Sequence, residues 1–419
     1  MLAFFKFDND TDPRIKIAAY LSFISAFGLA GWIAASFSFS VDVLDFSAMN
    51  FGFMLSVKEL SMIFGFLIPI LLGYISESRA QGVLVSLTGT AIILTAFSNT
   101  EIVIFEWLYR ITGTSNFFVF NLAILAFVLS LCYNYFETSR DSLIRHSTDS
   151  QSTAVILGKI TAYSVSGTAA GYFVVTVLGF INIPHMYLTV YSLLGIPLII
   201  GGLLGTKKAK PVKSIRENIE VIIRGKFFNF YTLTFFTASL NIIMVYFGIF
   251  LLVKVFGLSL GFAALIFLIH SALTFFFRHK AADIMRSKGE DSVMKIRYGI
   301  TLLLFIAAGF LPVFLNGEAV KYIIAAIVAF YGVSTLFDNS IKSFISYFAT
   351  QQEQRSNLLI YTRLNKTARI LIPVLAGWLW VNYEPYSVFS LGAAFSAICL
   401  LISFRIYAAY KDVGASTEQ

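Results

Sequence analysis

Long apolar runs alternate with short polar stretches along almost the whole chain. A helix needs roughly 20 mostly apolar residues to cross the hydrocarbon core of a bilayer, and twelve of the runs come close to that length. The predicted spans are 17–38, 52–75, 81–98, 117–137, 153–177, 186–205, 228–252, 258–277, 296–315, 320–341, 364–382 and 387–408. The pattern therefore predicts an all-α polytopic membrane protein with 12 transmembrane helices.

The polar stretches between the spans fall into two classes by charge. Those after even-numbered spans are rich in Lys and Arg, whereas those after odd-numbered spans are short and poor in cations. The basic residues after the sixth and eighth spans are Lys207, Lys208, Lys210, Lys213, Arg216, Arg224, Lys226, Arg278, Lys280, Arg286, Lys288, Lys295 and Arg297. Because basic loops stay on the cytoplasmic side, we expect both termini to be cytoplasmic. The membrane we expect is a bacterial inner membrane.

Composition argues against several classes of function. Hydrophobic residues make up 58% of the chain and the net charge is +8. We assign the positive charge to topology and to contact with anionic lipid headgroups, and not to nucleic acid. Cys132 and Cys399 lie within predicted spans, and the sequence contains no recognisable nucleophile–base set or metal-ligand cluster. We therefore expect no enzyme, no catalytic residues, no cofactor and no metal site.

The two halves of the chain resemble each other near the ends of two spans. The segment 136–144, at the end of the fourth span, aligns with 337–345 at the end of the tenth, and this places Glu137 and Asp338 201 residues apart. The alignment indicates an internal repeat of six spans.

The longest hydrophilic stretch inside the apolar part of the chain separates these halves. It contains a proline and then a charged run typical of an amphipathic surface helix. We therefore predict two pseudo-symmetric six-helix bundles, 1–205 and 228–419, joined by a cytoplasmic central loop at 206–227.

Twelve spans, a 6+6 division, a long basic central loop and cytoplasmic termini together resemble the major facilitator superfamily. The signature of that family, Gly-x-x-x-Asp-Arg-x-Gly-Arg-Arg, follows its second span. Here Gly73 matches and Glu77 matches in charge, while Ser78 departs from the pattern. The resemblance implies that this loop and Arg140 form a gate that locks the cytoplasmic side of the two halves together. The alternative is that Glu77 is an ordinary interfacial charge.

The fifth span contains a Gly-x-x-x-Gly pair, Gly167 and Gly171. Small residues at this spacing allow two helix backbones to approach closely in lipid. The resemblance implies that this helix meets a helix of the opposite half, where a close contact that can slide would serve a rocking motion. Packing without motion is the alternative.

Polar groups inside the spans are the candidates for coupling and binding. A coupling proton needs a carboxylate whose pKa burial and a nearby cation can tune, and Glu137, Asp338 and Glu59 are such carboxylates. His270 is a further candidate because a histidine side chain can titrate near physiological pH, although a lone buried histidine is more often a packing residue. Asn241, in the seventh span, is a candidate substrate contact because the resemblance implies that this span lines the pathway.

The eleventh span carries three cations, and they allow two interpretations. Arg363, Lys366 and Arg369 are spaced by three residues, which places neighbours on one broad helix stripe. In one interpretation Arg363 snorkels or takes part in gating, and Arg369 forms a salt-bridge gate with a carboxylate such as Asp338. In the other, Arg369, Lys366 and Lys159 of the fifth span form an anion-binding wall in a central cavity.

The resemblance implies a monomeric secondary active transporter that moves a small organic solute by alternating access, coupled to H+ or another ion. The excess of cations within the spans favours an anionic or zwitterionic solute. A drug or amphipathic-lipid exporter is an alternative, favoured by the 44 Phe residues. A non-transporting receptor or scaffold with the same fold is another, and it predicts no stabilisation by solutes.

Overall fold

The computed structural model describes residues 7, 11–64, 77–99, 117–148, 150–181, 183–208, 225–315, 318–338, 341 and 349–417. Within these ranges the chain forms twelve helices, which we number α1–α12, and no strand. The all-α class predicted from the sequence is confirmed.

The first six helices follow the first six predicted spans. They are α1 Pro13–Asp42, α2 Ala48–Leu60, α3 Glu77–Thr95, α4 Phe117–Ser147, α5 Ser150–Phe180 and α6 Met186–Lys208. α1 begins where it does because the carboxylate of Asp12 accepts a hydrogen bond from the backbone N of Arg14 at 2.8 Å, and because proline suits the first helical position. The second half of the predicted second span lies outside the described residues.

The seventh helix, α7, covers Gly225–Lys254 and changes its geometry along its length. It is α-helical over Phe228–Asn241, π-helical over Ile242–Phe247 and α-helical again over Gly248–Lys254. π-Helical segments inside α-helices are rare and occur frequently at functional sites.

The eighth and ninth spans are two helices that follow each other directly within Leu260–Phe314 and meet at a kink at Gly289. We call the helix before Gly289 α8 and the helix after it α9. The loop predicted between these spans is therefore wrong: the helix continues through the basic residues and breaks at Gly289, where φ is 75°. The break falls there because glycine adopts positive φ without steric cost.

The last three helices are α10 Glu318–Thr335, which ends in the 3-10 turn Leu336–Asp338, α11 Gln351–Asn382 and α12 Ser387–Thr417. A capping box starts α11: the hydroxyl of Thr350 accepts from the backbone N of Glu353, whose carboxylate accepts from the backbone N of Thr350. Within the described ranges nine helices are long and apolar enough to cross a membrane, and the exceptions are α2, α3 and α11.

By its internal contacts the chain divides into two compact units. The first consists of Met1–Phe46, Phe53–Arg216 and Ser259–Leu268, and the second of Ser47–Gly52, Glu217–Leu258 and Ile269–Gln419. Each unit follows one half of the sequence, except that the beginning of α2 belongs to the second unit and the beginning of α8 to the first. The predicted domain boundaries and the pseudo-symmetry of the bundles remain predictions.

In the first unit, α5 crosses α1 at the Gly-x-x-x-Gly pair. A Cβ atom on Gly167 would lie 2.1 Å from the carbonyl oxygen of Phe23, and one on Gly171 would lie 2.2 Å from that of Phe27. The expectation that this pair faces the opposite half is wrong, because its partner α1 belongs to the same half. The close approach to a helix of the other half occurs further along α5, where a Cβ atom on Gly179 would lie 2.4 Å from the backbone N of Gly261 in α8.

In the second unit, α11 packs against the beginning of α2. A Cβ atom on Gly52 would lie 2.1 Å from the carbonyl oxygen of Pro373, and one on Gly377 would lie 2.6 Å from that of Ala48. Backbones this close restrict how α11 can rotate about its own axis. The contact therefore fixes the direction in which the polar face of α11 points.

Candidate functional site

α11 carries a row of polar residues spaced four apart. We call it the α11 stripe, and it consists of Glu353, Asn357, Tyr361, Asn365 and Arg369. Since an α-helix has about 3.6 residues per turn, each residue of the stripe lies about 40° around the helix from the one before, so neighbours are adjacent and the row winds around α11 by about 160° from Glu353 to Arg369. Glu353 and Asn357 are buried, and the other three are partly buried. The stripe therefore lies against protein over much of its length.

The first half of the stripe contacts the beginning of α7. Lys226 Nζ lies 2.9 Å from Oε1 of Glu353, which is 4% exposed. One turn further on, the hydroxyl of Tyr231 donates a hydrogen bond of 2.8 Å to Oδ1 of Asn357. Buried polar groups require such partners, so these two contacts hold α7 and α11 together at this end.

The second half of the stripe lies among charged groups. Nε of Arg369 donates a hydrogen bond to Oδ1 of Asn365 at 2.9 Å. The phenol of Tyr361 lies within electrostatic reach of Arg369, of Asp338 in the turn after α10, and of Arg297 on α9. The site thus brings together two guanidinium groups, a carboxylate and a phenol in the second unit.

Arg297 and Asp338 form the central ion pair of this site, between Nη2 and Oδ1. The Arg297 side chain is 1% exposed, whereas that of Asp338 is 32% exposed. Among the described residues, nothing accepts a hydrogen bond from Nε or Nη1 of Arg297. Because a charge inside a transmembrane bundle is costly without a partner, Asp338 is the group that makes this buried cation tolerable.

Hydroxyl pairs fix α9 beside Arg297. The hydroxyls of Tyr298 and Thr237 lie 2.8 Å apart and join α9 to α7. Thr301 and Ser334, also 2.8 Å apart, join α9 to α10. These contacts set the rotation of α9 and therefore the direction in which Arg297 points.

A second charged cluster lies at the end of α4 in the first unit. Nη2 of Arg140 lies 2.8 Å from Asp141 Oδ1 and its Nη1 lies 3.6 Å from Glu137 Oε1. Nη1 also donates to the hydroxyl of Ser22 on α1 at 3.3 Å, and Tyr133 donates to Glu137 at 3.2 Å. Arg140 therefore links α4 to α1 through a network that includes a predicted coupling carboxylate.

The predicted gate can be followed only in part. Gly73 lies outside the described residues, and so does the side chain of Glu77, whose backbone begins α3. The pairing of Glu77 with Arg140 therefore remains a prediction.

Glu59 pairs with its neighbour along the chain. Lys58 Nζ lies 2.8 Å from Glu59 Oε1, and each residue is 6% exposed. The pair lies near the end of α2, with both groups removed from water.

His270 packs against the backbone of α10. Its Nδ1 lies 3.4 Å from the carbonyl oxygen of Val328, and a Cβ atom on Gly332 would lie 2.9 Å from the same nitrogen. This is the packing role that the sequence left open beside a role in coupling.

The residues of the predicted anion wall lie in different compact units, Lys159 in the first and Lys366 and Arg369 in the second. Lys159 Nζ lies 5.5 Å from the centre of the Phe7 ring, a cation–π distance. A wall that includes all three cations remains a prediction.

The cations of α11 do not share one face. Arg363 is exposed and Lys366 is partly buried, while Arg369 belongs to the α11 stripe. Six residues rotate a helix by about 240° beyond a full turn, which separates Arg363 from Arg369. Asn241, the predicted contact in the seventh span, is the last residue before the π-helical segment of α7.

The sequence interpretation missed Arg297 and the uncharged residues of the stripe. Arg297 follows a series of cations typical of a loop, and it lies opposite Asp338 because a new helix, α9, begins directly after Gly289. The stripe could have been found, because its polar residues recur every four positions in one predicted helix. Formal charge points to Arg363 and Lys366, and it does not point to the uncharged residues of the stripe.

Comparisons with known proteins identify the fold. No protein-family model and no curated protein sequence matches the chain. Among solved structures, a bacterial homologue of the iron transporter ferroportin in its inward-facing state matches with a TM-score of 0.71 and 12% identity, over 94% of this chain and 98% of that one. The nucleoside transporter NupG matches with a TM-score of 0.64 and 14% identity, over 94% of this chain and 99% of that one.

A D-xylose-proton symporter matches with a TM-score of 0.65 and 13% identity, over 94% of this chain and 97% of that one. By their names these three proteins are a homologue of an iron transporter, a nucleoside transporter and a proton symporter. At such low identity the likeness establishes the fold, and both chains are covered almost completely. The chain has the fold of the major facilitator superfamily transporters.

Proposed function

We propose that the protein is a monomeric secondary active transporter that moves a small organic solute across the bacterial inner membrane by alternating access, coupled to protons. Both termini face the cytoplasm. The observation that supports this is the ion pair of Arg297, 1% exposed, with Asp338 inside a helix bundle of this fold. Ionisable groups at such positions are costly, and they occur mainly where a substrate or a coupling ion is handled.

Asp338 is the leading candidate for the coupling carboxylate. Its side chain is 32% exposed while its cationic partner on α9 is buried, so it can exchange a proton with water and in doing so weaken an ion pair between two helices. A ligand, here a proton, shifts a conformational equilibrium only by binding one state better than the other. Glu137, Glu59 and His270 remain candidates.

Gating is proposed at Gly73, Glu77 and Arg140, with Arg363 at the edge of α11. The network of Arg140 with Glu137 at the end of α4 supports a role for this region. Glu77→Gln should increase the labelling of single cysteines placed on the cytoplasmic side. Equal labelling in the variant and the parent would count against the gate.

Transport can be tested in liposomes that contain the purified protein and a pH-sensitive dye. Nucleosides, pentoses and small carboxylates are added outside, at the same pH inside and outside. We expect one class of solute to change the internal pH, and empty liposomes to show no change. Solute uptake without any proton movement would remove the coupling part of the proposal and leave transport in place.

The same preparation separates the alternatives. An exporter of drugs or amphipathic lipids would move such compounds and ignore polar metabolites; the exposed phenylalanines, among them Phe276 and Phe314, are as expected for a lipid-facing surface and do not favour it. A receptor or scaffold would move none of the solutes, and no solute would raise its melting temperature. That result would overturn the proposed function.

A further inference from the structure

α8 continues well beyond the apolar part of its sequence. The segment that is long and apolar enough to cross a membrane ends at Arg278, and the helix then runs on until it breaks at Gly289. With a rise of roughly 1.5 Å per residue, this extension adds about 15 Å to the helix beyond the span. We call the segment 275–288 the α8 tip; it begins with the last apolar residues of the span and ends at the break.

The first part of the α8 tip is aromatic and uncovered by protein. Phe275, Phe276 and Phe277 are all exposed, and Phe276 is 71% exposed. Successive residues of an α-helix point about 100° apart, so three exposed residues in a row leave more than half of the circumference free. Exposed apolar patches of this kind mark surfaces that contact a membrane or a partner. In a chain with this fold, the three rings are therefore expected to lie among lipid chains.

The remainder of the α8 tip is basic. Its cations are Arg278, Lys280, Arg286 and Lys288, all of them exposed. Asp283 is the one acidic residue of the segment, so four positive charges against one negative charge leave +3 with the histidine neutral. Among the described residues, none of the four cations takes part in an ion pair.

The change from aromatic to basic takes place within a single residue. Phe277 is the last exposed aromatic residue and Arg278 follows it directly. Nζ of Lys280 lies 5.6 Å from the centre of the Phe277 ring, a cation–π distance. Along the helix axis, Arg278 and Lys280 lie within about 5 Å of Phe277. The boundary between hydrocarbon and headgroups is therefore expected between the rings and these two cations.

We propose that the α8 tip binds anionic phospholipid of the leaflet around it, with the lipid phosphates against Arg278 and Lys280 and the acyl chains against the three phenylalanines. Basic residues directly outside a span attract anionic lipids, and a phosphate accepts hydrogen bonds from guanidinium and ammonium groups. A lipid carries its phosphate next to its apolar chains, and this matches the order of the α8 tip. A soluble acidic protein would match the charges and leave the rings exposed.

Arg286 and Lys288 should contribute less than the first two cations. They lie about 14 Å or more beyond Phe277 along the axis, and the field of a charged leaflet decays with a Debye length of about 8 Å at physiological ionic strength. The α8 tip thus contains two pairs of cations with equal charge and different distance from the lipid. That the leaflet is the cytoplasmic one rests on the proposed function, whereas the contact with lipid does not.

The test measures which lipid touches the α8 tip. Phe276→Trp adds a tryptophan at this level, and the difference in fluorescence between this variant and the parent reports it. The full-length protein is reconstituted in phosphatidylcholine vesicles that contain phosphatidylglycerol, and either lipid carries bromine, which quenches tryptophan on contact. We expect a preference for phosphatidylglycerol of about 10-fold or more, as two cations at the surface should give, and a decrease of this preference with added salt.

Variants made in the Phe276→Trp protein identify the cations. Arg278→Gln with Lys280→Gln should bring the preference close to equal binding of both lipids, and Arg286→Gln with Lys288→Gln should lower it less. Arg278→Lys with Lys280→Arg keeps both charges and should keep the preference. The matched control is Lys207→Gln with Lys208→Gln at the end of α6, which removes the same charge elsewhere and should leave the preference unchanged. Because the cations of the α8 tip are exposed, melting temperatures in phosphatidylcholine should equal that of the parent.

Three results would overturn the inference. They are equal quenching by both brominated lipids before any cation is replaced, an unchanged preference in Arg278→Gln with Lys280→Gln, and an equal loss of preference in the α6 control. Binding of polyglutamate without any preference among lipids would assign the charges to an acidic protein and would also overturn it. Lipid preference in a protein that transports no solute would leave this inference in place and remove the proposed function.

Discussion

The guanidinium of Arg297 and the carboxylate of Asp338 form an ion pair that is closed to water on one side only. Arg297 exposes 1% of its side chain and Asp338 exposes 32%. The pair joins α9 to the turn that ends α10, so its two charges depend on the correct packing of two helices. Breaking it from either side leaves a different group without its partner.

Neutralising one partner should therefore destabilise the protein more than neutralising both. Asp338→Asn leaves a buried guanidinium without a counter-charge, for which a loss of about 3–5 kcal/mol is typical. The double variant Arg297→Met with Asp338→Leu should be markedly more stable than Asp338→Asn, because no unpaired charge remains. Thermal unfolding in detergent measures both.

The surface pair of Lys321 and Glu318 is the matched control. It is also an ion pair, with an N–O distance of 2.9 Å, but the Glu318 side chain is 79% exposed. Exposed pairs contribute little to stability, so Glu318→Gln should melt like the parent. A comparable loss in Glu318→Gln and Asp338→Asn would mean that burial does not determine the effect.

Two glycines of α5 should respond oppositely to alanine. A Cβ atom on Gly167 would lie 2.1 Å from the carbonyl oxygen of Phe23, whereas one on Gly158 would meet nothing within 4 Å. Gly167→Ala should lower stability by about 1–3 kcal/mol, since α1 and α5 must separate. Gly158→Ala should be neutral or stabilising, because alanine favours the helix over glycine by up to about 1 kcal/mol. Melting temperatures that fall equally would contradict the α1–α5 contact.

The fold could be predicted from the sequence because the bilayer imposes a single strong rule. A span must satisfy all its backbone hydrogen bonds internally, and so apolar runs of sufficient length become helices. The rule does not say where a helix ends outside the membrane, and the loop predicted from the cations between α8 and α9 is wrong for this reason. A helix can extend beyond the membrane surface with its charges in water. α8 therefore continues through the cations and ends only at Gly289, the residue with φ of 75°.

The site could be predicted less well, because it depends on which helix faces meet. Asp338 was a candidate from the internal repeat, and Arg369 from its depth in the eleventh span. Their neighbours Arg297 and Tyr361 required the packing of α9, α10 and α11, which is a tertiary property. Periodicity at four residues would have located the α11 stripe, since that spacing depends on helix geometry alone.

The hydrogen bond between Tyr231 and Asn357 should be measurable as a coupling between α7 and α11. Its length is 2.8 Å, and Asn357 is 1% exposed. In a double-mutant cycle of Tyr231→Phe and Asn357→Leu, we expect a coupling free energy of about 0.5–1.5 kcal/mol. Pairing Asn357→Leu with Tyr322→Phe, an exposed tyrosine of α10, serves as the control cycle and should give no coupling. Strict additivity in the first cycle would mean that this bond does not join the helices.

Asp338 and Glu137 are related by the predicted repeat, yet they should differ in proton coupling. The arginine that pairs with Asp338 lies on another helix, whereas the arginine that pairs with Glu137 lies on the same helix. The cation of Asp338 is on another helix, α9, whereas that of Glu137 is Arg140, three residues further along the same helix. Protonating Asp338 weakens a contact between helices, and protonating Glu137 mainly weakens one within a helix.

Since coupling requires protonation to favour one arrangement of helices over another, Asp338→Asn should abolish solute accumulation driven by a pH gradient while solute exchange without a gradient continues. Glu137→Gln should retain most of the accumulation. Uptake and exchange in the same liposomes measure both, and loss of accumulation in Glu137→Gln alone would reverse the assignment.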